Sequence, residues 1–258
     1  KTQNAQPALM TVSMAILRAL EKEAGKPAEE LCEFVAGHSL GEYSALCASS
    51  AISLAETAKL LEIRGKAFAE AGKESGGSMA AIIGVDVETA IKIAEKSREV
   101  GETCQVANDN AIGQVVISGD EAAIDRSIAI ATEMGAKRAI KLPVSGAFHS
   151  ELMRPAAEIM EKALEGVNIM EPTIPLITNV TANQVFSVEE IKESLIKQVT
   201  GRVRWRETLH NLDAEDVKQI VEIGSGKVLA GLTKKTCPNM ETMSVGSVEM
   251  MKEFLESL

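Results

Sequence analysis

The stretch of sequence that most constrains the fold is residues 32–48, CEFVAGHSLGEYSALCA. Its apolar residues 34–36 are followed by a glycine-bracketed turn at 37–41 and then by a helix-forming segment, which predicts a strand, a sharp turn and a helix. In that context the pattern G-x-S-x-G is typical of a nucleophile elbow, in which two glycines permit a cramped backbone and the serine, here Ser39, stands beside a helix N-terminus. The alternative is a simple glycine turn whose serine only caps the helix.

Composition limits what the rest of the chain can be. With 258 residues, of which 45% are apolar, the chain can bury a full core, and we expect one domain with an inserted or appended smaller one. The four cysteines show no CxxC spacing, and there is no signal peptide or long apolar run, so we expect a reduced, soluble, cytoplasmic protein. A net charge of −10 argues against nucleic acid or an anionic membrane as the general partner.

One arginine stands on the apolar side of a predicted helix. Ser53 and Glu56 form a capping box, and the helix that follows runs to about Ala71. The neighbours of Arg64 at helical spacing are all apolar, namely Leu60, Leu61, Ala67 and Phe68. A buried unpaired guanidinium costs several kcal/mol, so Arg64 must meet an anion. That anion is either a protein carboxylate or a carboxylate of the ligand, held in bidentate fashion.

A smaller unit is predicted after the flexible boundary at residues 72–77. The predicted elements are strand 78–84, helix 87–99, strands 103–108 and 114–118, helix 120–134 and strand 137–144. This βαββαβ order predicts a ferredoxin-like subdomain over residues 75–142, inserted into a larger unit made of residues 1–74 and 143–258. Asp120 is predicted to cap a helix. Asn108, Asp109 and Asn110 are predicted to form a polar loop that faces a cleft.

A histidine follows the predicted subdomain. Ser150 is a good N-cap for a helix at 151–166, which leaves His149 at the mouth of that helix. Of the three histidines, His38 lies inside the elbow and points away from the serine by alternation, and His210 lies in a polar helical segment. His149 is therefore the candidate general base, although a lone histidine is more often structural or exposed.

The remaining elements complete a larger α/β unit. Strand 174–180, a helix capped by Ser187, a helical piece near 204–212 and strand 219–223 alternate along the chain, and a strand-to-helix turn at 224–227 lacks P-loop spacing. This alternation predicts an α/β fold with a parallel-sheet, hydrolase-like core and helices on both faces.

Six motifs together resemble one enzyme family. They are GHSLGEYSAL at 37–46, IRGKAF at 63–68, NDNAIGQVVISG at 108–119, PVSGAFHS at 143–150, QVTGRVRW at 198–205 and EIGSGKVLAGL at 222–232. In this order and spacing the chain is similar to malonyl-CoA:acyl carrier protein transacylases, acyltransferases of fatty acid and polyketide synthesis. The resemblance covers the whole chain, from the Gln6 region onward.

The resemblance implies a role for each matching position. Ser39 would be the nucleophile and His149 its base, with the main-chain carbonyl of Gln198 holding the imidazole. Leu40 would offer an oxyanion amide, and Arg64 would pair with the malonyl carboxylate.

Three further positions are candidates for the substrate side. Phe148 matches the pattern of members that select malonyl over methylmalonyl groups. His38 and Asn108 are further candidates for substrate binding.

The sequence also departs from the family. Family members begin with a strand and a GQGSQ-type loop ahead of the Gln6 region, which supplies the second oxyanion amide, and this sequence starts at Lys1 without it. Loss of one oxyanion donor typically costs roughly 100- to 1,000-fold in rate, so we expect a fragment, a trimmed or split chain, or a weak catalyst. Ala147 and Arg202 stand where many relatives have proline, and only local loop changes are expected from them.

The expected activity is transfer of a malonyl group from malonyl-CoA to the phosphopantetheine thiol of acyl carrier protein. No cofactor and no metal are expected, and the protein would act as a monomer in the cytoplasm or in the organelle of fatty acid synthesis. The alternatives are a serine thioesterase or esterase-type hydrolase and a non-catalytic scaffold. Docking of anionic partners would need a basic surface, for which the candidates are Lys197, Arg202, Arg204, Arg206, Lys227, Lys234 and Lys235.

Overall fold

The structure is a computed structural model that describes residues 2–257, with side chains from residue 4 to residue 257. Its α-helices are α1 (Thr2–Ala24), α2 (Gly41–Ala48), α3 (Leu54–Ser75), α4 (Val87–Ser97), α5 (Glu121–Glu133), α6 (Arg154–Glu165), α7 (Val188–Thr200), α8 (Trp205–Ala214), α9 (Val228–Thr236) and α10 (Val248–Ser257). Its strands are β1 (Val35–Ala36), β2 (Ser78–Ile83), β3 (Cys104–Ala111), β4 (Gln114–Gly119), β5 (Arg138–Lys141), β6 (Leu176–Ile177), β7 (Gln184–Val185), β8 (Gln219–Ile223) and β9 (Glu241–Val245). The fold is therefore α/β with mixed sheets.

A small sheet carries the elbow. It has the order β1-β6-β7, in which β1 and β6 run parallel and β6 and β7 antiparallel. Val35 and Leu176 pack in the core made by α1, α2, α3, α6 and α7, whereas Ala36 and Ile177 pack with α8 and α9. Because neighbouring residues of a strand face opposite sides, helices cover both faces of this sheet.

The predicted single parallel sheet differs from the strand pairing in residues 2–257. The parallel strands β8 and β9 form a separate two-stranded sheet. The strand predicted at 174–180 is reduced to β6, because the chain reverses directly after it: the Ala182 amide donates to the Thr178 carbonyl at 2.9 Å. This turn leads into β7, which the sequence did not predict.

A second, antiparallel sheet has the order β3-β4-β2-β5. With α4 and α5 its strands follow the order βαββαβ, which confirms the predicted succession of elements. Ala80 and Ile82 of β2 pack with α4 and α5, whereas Met79 packs on the other face in a cluster that includes Phe148. One face of this sheet thus lies against the segment that carries His149.

The polar loop predicted at 108–110 is instead part of β3. Asn108 and Asp109 pair with β4, and the register shifts on either side of them. The Asp109 amide donates to the Val203 carbonyl at 2.9 Å, which joins this irregular strand to the segment before α8. Backbone pairing on both sides explains why polar residues here are extended rather than looped.

The cap of α3 is confirmed, but its predicted end is not. The Glu56 amide donates to Ser53 Oγ at 3.2 Å, and α3 continues to Ser75, past its predicted end. Gly76, with φ of +59°, ends the helix in the left-handed conformation that favours glycine. The boundary predicted at 72–77 is therefore reduced to its last two glycines.

Two other predicted caps are wrong. Ser150 Oγ donates to the Ala147 carbonyl at 2.6 Å, and the chain passes through a 3₁₀ turn, Glu151–Met153, before α6 begins. Asp120 sits at the start of α5, but its carboxylate accepts from the Thr103 amide at 2.6 Å and not from the helix. In both cases a backbone group outside the helix, three residues earlier for Ser150 and 17 residues earlier for Asp120, replaces the amides of the first turn.

The C-terminal part contains two further elements that the sequence did not predict, β9 and α10. The turn at 224–227 does lead from β8 into α9, as predicted. Over residues 2–257, no helix combines the length and the apolar character that a membrane crossing requires.

Candidate active site

Ser39 lies at the turn between β1 and α2 in a strained conformation. Its φ is +54°, in the left-handed region that L-residues seldom adopt. Gly37 permits the turn, because a Cβ there would lie 1.9 Å from the Gly41 carbonyl oxygen. A Cβ on Gly41 would meet nothing within 4 Å, so the second glycine is not required by space. This corrects the expectation that both glycines serve a cramped backbone.

His149 lies within hydrogen-bond distance of Ser39. Its Nε2 is 2.8 Å from Ser39 Oγ, and its Nδ1 is 2.8 Å from the main-chain oxygen of Gln198. Donation from Nδ1–H to that carbonyl leaves Nε2 as the acceptor for the serine hydroxyl. Burial and the positive charge of Arg64 lower the pKa of His149 to about 3, so the imidazole is neutral and can accept a proton at neutral pH.

Arg64 is buried, and its guanidinium donates to neutral oxygens. It is 1% exposed, and its guanidinium donates to Gln6 Oε1 at 2.6 Å, Gln198 Oε1 at 2.9 Å and Ser39 Oγ at 3.1 Å. Its Cζ lies 4.1 Å from the centroid of the Phe68 ring, a cation–π contact. Burial lowers its pKa from the ordinary arginine value.

No protein carboxylate pairs with Arg64 within residues 4–257. Its Nε also has no hydrogen-bond partner in that range. Of the two anions that the sequence left open, the described structure therefore does not contain the first. A buried, unpaired guanidinium beside the Ser39 hydroxyl is a ready site for a carboxylate from outside the protein.

The backbone of Ser39 is held from both sides. Its amide donates to Asn179 Oδ1 at 2.7 Å, and its carbonyl accepts from Gln198 Nε2 at 2.9 Å. The Ser39 amide is thereby occupied, whereas the Leu40 amide has no acceptor among the described residues. Leu40 lies at the N-terminus of α2, where a free amide can face a developing negative charge.

Sequence reasoning assigned no role to three residues that contact the site: Gln6, Asn179 and Glu42. Asn179 follows the carboxyl end of β6, a place where site residues are expected in α/β sheets. Glu42 lies among buried residues of α2, so the spacing argument that placed Arg64 on a buried face would also have found it. Nothing in the sequence pattern indicates that Gln6 contacts Arg64.

Comparison with known proteins identifies the family of this site. A profile described as "Acyl transferase domain" matches residues 1–253. The chain belongs to this acyl transferase family. The malonyl CoA-acyl carrier protein transacylase of Bacillus subtilis (strain 168) is 42% identical over 257 residues, which cover 100% of this chain and 80% of that protein. These matches confirm the resemblance that the motifs indicated.

Solved structures of acyl transferases share the fold. The acyl-carrier-protein S-malonyltransferase of Bartonella henselae is 49% identical with a TM-score of 0.94, and the match covers 99% of this chain and 81% of that one. A chain from a complex between a type II PKS acyl-carrier protein and its malonyl-transacylase is 37% identical with a TM-score of 0.95, and the match covers 100% and 82% of the two chains.

The remaining candidates of this acyl transferase lie around the site at different distances. His38 Nε2 is 2.8 Å from Asn110 Oδ1, and its ring meets the edge of Trp205 at 5.6 Å. Phe148 is half-buried and stacks at 5.5 Å on Phe68, the ring that the guanidinium of Arg64 covers. Asn108 is buried in β3, and within residues 4–257 its side chain makes no hydrogen bond to Ser39, Arg64 or His149.

Over residues 4–257, no cluster of His, Cys, Asp and Glu could hold a metal ion.

The candidate docking cations of this acyl transferase fall into two groups. Four are paired with acidic side chains: Lys197 with Glu193, Arg202 and Arg204 with Glu207, and Arg206 with Asp109. The other three have no salt bridge within residues 4–257, namely Lys227, Lys234 and Lys235. The basic segment 202–206 is thus largely neutralised in place.

Proposed function

We propose that this protein transfers a malonyl group from malonyl-CoA to the phosphopantetheine thiol of acyl carrier protein through a malonyl-serine intermediate. The observation that carries the proposal is the unpaired guanidinium of Arg64, 3.1 Å from the hydroxyl of Ser39, which in turn lies 2.8 Å from an imidazole. An acyl group that carries its own carboxylate fits this site, because its carbonyl can face Ser39 and His149 while its carboxylate meets Arg64. The names of the relatives, which are malonyl transacylases, support the same conclusion.

In the first half-reaction, Ser39 attacks the thioester carbonyl of malonyl-CoA while His149 Nε2 takes the hydroxyl proton. The negative charge that develops on the carbonyl oxygen is stabilised by the Leu40 amide and the N-terminus of α2. The carbon–sulfur bond then breaks, and the CoA thiolate leaves with the proton from His149. Malonyl-Ser39 and free CoA are the products.

In the second half-reaction, the phosphopantetheine thiol enters and His149 takes its proton. The thiolate attacks the malonyl-Ser39 ester, the oxyanion forms again at the Leu40 amide, and the ester bond breaks. His149 returns the proton to Ser39 Oγ, so the enzyme is restored. Throughout the cycle, the carbonyl of Gln198 keeps the imidazole in the required tautomer.

Arg64 selects the substrate. Binding of malonyl replaces the neutral contact to Ser39 Oγ with an ion pair to the free carboxylate, which a guanidinium holds in bidentate geometry. An acetyl group would leave the guanidinium buried and unpaired. Selectivity therefore comes from a group that stays unsatisfied with the wrong substrate. Phe148, stacked beside Phe68, would border this pocket, and His38 and Asn108 would lie further along the substrate path.

The test is an assay that separates transfer from hydrolysis. Malonyl-CoA and phosphopantetheinylated acyl carrier protein are supplied together, and malonyl-carrier product and free malonate are measured. We expect malonyl-carrier product to exceed malonate. Free malonate as the main product would instead indicate a serine hydrolase, and failure of Ser39 to react with a fluorophosphonate probe would indicate a non-catalytic scaffold.

The finer organisation is also part of this proposal. The antiparallel sheet with α4 and α5 would be a ferredoxin-like subdomain over residues 75–142, and residues 1–74 and 143–258 would form a hydrolase-like catalytic unit. The enzyme would act in the cytoplasm as a monomer and would need no cofactor besides the CoA carried by its substrate. The three unpaired lysines Lys227, Lys234 and Lys235 would receive the anionic partners in preference to the paired segment 202–206.

A further inference from the structure

Glu42 is a buried carboxyl group that the mechanism above does not use. It follows Ser39 by three residues on α2 and is 0% exposed. One oxygen, Oε2, accepts from Gln198 Nε2 at 2.9 Å and from the Asn179 amide at 3.0 Å. Within residues 4–257 its other oxygen has no hydrogen-bond partner, and it forms no salt bridge. A carboxyl is costly to bury, and here its contacts are all with the supports of Ser39.

The two residues that Glu42 contacts are the same two that hold the strained backbone of Ser39. Asn179 binds the Ser39 amide, and its own Nδ2 donates to the Gly37 carbonyl at 2.7 Å. Gln198 binds the Ser39 carbonyl. The positive φ of Ser39 is therefore maintained by two side-chain amides, and Glu42 holds one of them, that of Gln198, directly and the other through the main-chain N–H of Asn179.

Glu42 and the Ser39 carbonyl together orient the Gln198 side-chain amide, since both accept from its NH₂ group. An amide presents a donor NH₂ on one side and an acceptor oxygen on the other. Because the NH₂ faces Glu42, the oxygen faces Arg64 and accepts from its Nη2 at 2.9 Å. The opposite orientation would place two donors against each other at Arg64. The main-chain carbonyl of the same residue accepts from His149, so one glutamine links the nucleophile, the imidazole and the guanidinium.

We propose that Glu42 is a positioning residue for the transfer reaction: by fixing Gln198 and Asn179 it holds Ser39, His149 and Arg64 in one arrangement. The proposal rests on the proposed function. The proposed role requires a hydrogen-bond acceptor at the position of Oε2. A glutamine in place of Glu42 can therefore accept from the Asn179 main-chain N–H and from Gln198 Nε2 through its amide oxygen. Burial raises the pKa of Glu42 to about 7.

The experiment compares Glu42→Ala, Glu42→Met and Glu42→Gln with wild type. Glu70→Ala, the same change at an exposed position of α3, is the matched control. Two quantities are measured for each: the rate constant for labelling of Ser39 by a fluorophosphonate probe, and kcat for malonyl transfer per labelled site. Counting labelled sites removes the effect of any unfolded fraction.

We expect both quantities to fall at least about 10-fold in Glu42→Ala and Glu42→Met, and the malonyl-to-acetyl ratio to fall with them, because Gln198 no longer holds Arg64. Glu42→Gln should recover most of the loss, and Glu70→Ala should match wild type. Glu42→Met fills the space left by the carboxyl group, so it keeps the test valid even where the alanine variant does not fold.

Labelling and kcat per site within two-fold of wild type in Glu42→Met would overturn the proposal. So would a loss that Glu42→Gln does not reduce, since that would assign the effect to charge. Failure of wild type itself to transfer malonyl groups, with Ser39 still labelled and the variants still slow, would overturn the proposed function and leave the positioning role standing.

Discussion

Two arginines of this protein, Arg64 and Arg206, differ in burial and in the kind of partner they contact. Arg206 meets the carboxylate of Asp109, which is buried: its Nε lies 3.0 Å from each carboxylate oxygen, and its Nη2 lies 2.9 Å from one of them. Arg64 is more deeply buried and donates to the neutral oxygens of Gln6, Ser39 and Gln198. Among residues 4–257, one guanidinium thus forms an ion pair with a carboxylate and the other does not.

This difference is the basis of our proposal that Arg206 serves the fold and Arg64 binds a ligand. The pair at Arg206 joins α8 to β3 and needs nothing further. At Arg64 no carboxylate of the described residues lies within salt-bridge distance, and Glu42 offsets the cost of burying the charge only through an attraction at longer range. The same positive charge helps to keep His149 unprotonated, so Arg64 also influences the protonation state of the proposed base.

The largest expected effect is loss of acylation at Ser39, which lies beside Arg64. Ser39→Ala removes the hydroxyl that lies between Arg64 and His149, and we expect stoichiometric labelling by radioactive malonyl-CoA to disappear completely. Ser44→Ala on α2 is the matched control and should remain labelled. Persistent labelling of the Ser39→Ala protein would remove Ser39 as the nucleophile.

The next effect concerns stability at the Arg206 site. Arg206→Met leaves Asp109 buried without its partner, and we expect the free energy of unfolding to fall by about 2 kcal/mol. That is less than the roughly 3–5 kcal/mol for fully buried pairs, because Arg206 stays partly exposed. Urea denaturation measures the change. An unchanged midpoint and slope would show that the pair contributes nothing.

The corresponding change at Arg64 should have the opposite sign. Arg64→Met removes a buried charge that has no carboxylate partner among the described residues. We expect the free energy of unfolding to rise by about 1 kcal/mol, although the contacts to Gln6 and Gln198 are lost. The same urea titration serves as the measurement. A loss of stability as large as that of Arg206→Met would contradict the distinction between the two arginines.

The smallest expected effect is the pH dependence of activity. Because burial and Arg64 lower the pKa of His149 to about 3, the imidazole stays unprotonated from pH 8 down to pH 5. We expect kcat/KM for malonyl-N-acetylcysteamine, a thioester without titrating phosphates, to vary less than about two-fold over this range. A fall centred near pH 6.5 would indicate an unperturbed histidine.

Sequence reasoning was strongest where chemistry depends on local spacing. The helical neighbours of Arg64 indicate its burial, the motif around Ser39 indicates the sharp turn, and the predicted βαββαβ order of elements within residues 78–141 is confirmed. The cap of α7 at Ser187 is likewise a complete capping box, as the pattern predicts.

Predictions failed where a partner is distant in the chain. Asp109 was placed in a loop, because nothing local shows that it pairs with Arg206, 97 residues later. Asn179 was overlooked because it contacts Ser39 across 140 residues. The cap predicted at Asp120 failed for the same reason, because its carboxylate accepts from the Thr103 amide. The cap at Ser150 and the strand at 174–180 failed for local reasons: Ser150 Oγ donates to the Ala147 carbonyl three residues earlier, and the chain turns directly after β6.

The most direct test of the account is the malonyl-to-acetyl ratio with which Ser39 is acylated. Intact-protein mass spectrometry after brief exposure to equal concentrations of malonyl-CoA and acetyl-CoA gives this ratio for wild type, Arg64→Met and Arg206→Met. We expect the ratio to fall at least about 100-fold in Arg64→Met and to stay at the wild-type value in Arg206→Met. An unchanged ratio in Arg64→Met would contradict the claim that its unpaired guanidinium receives the substrate carboxylate.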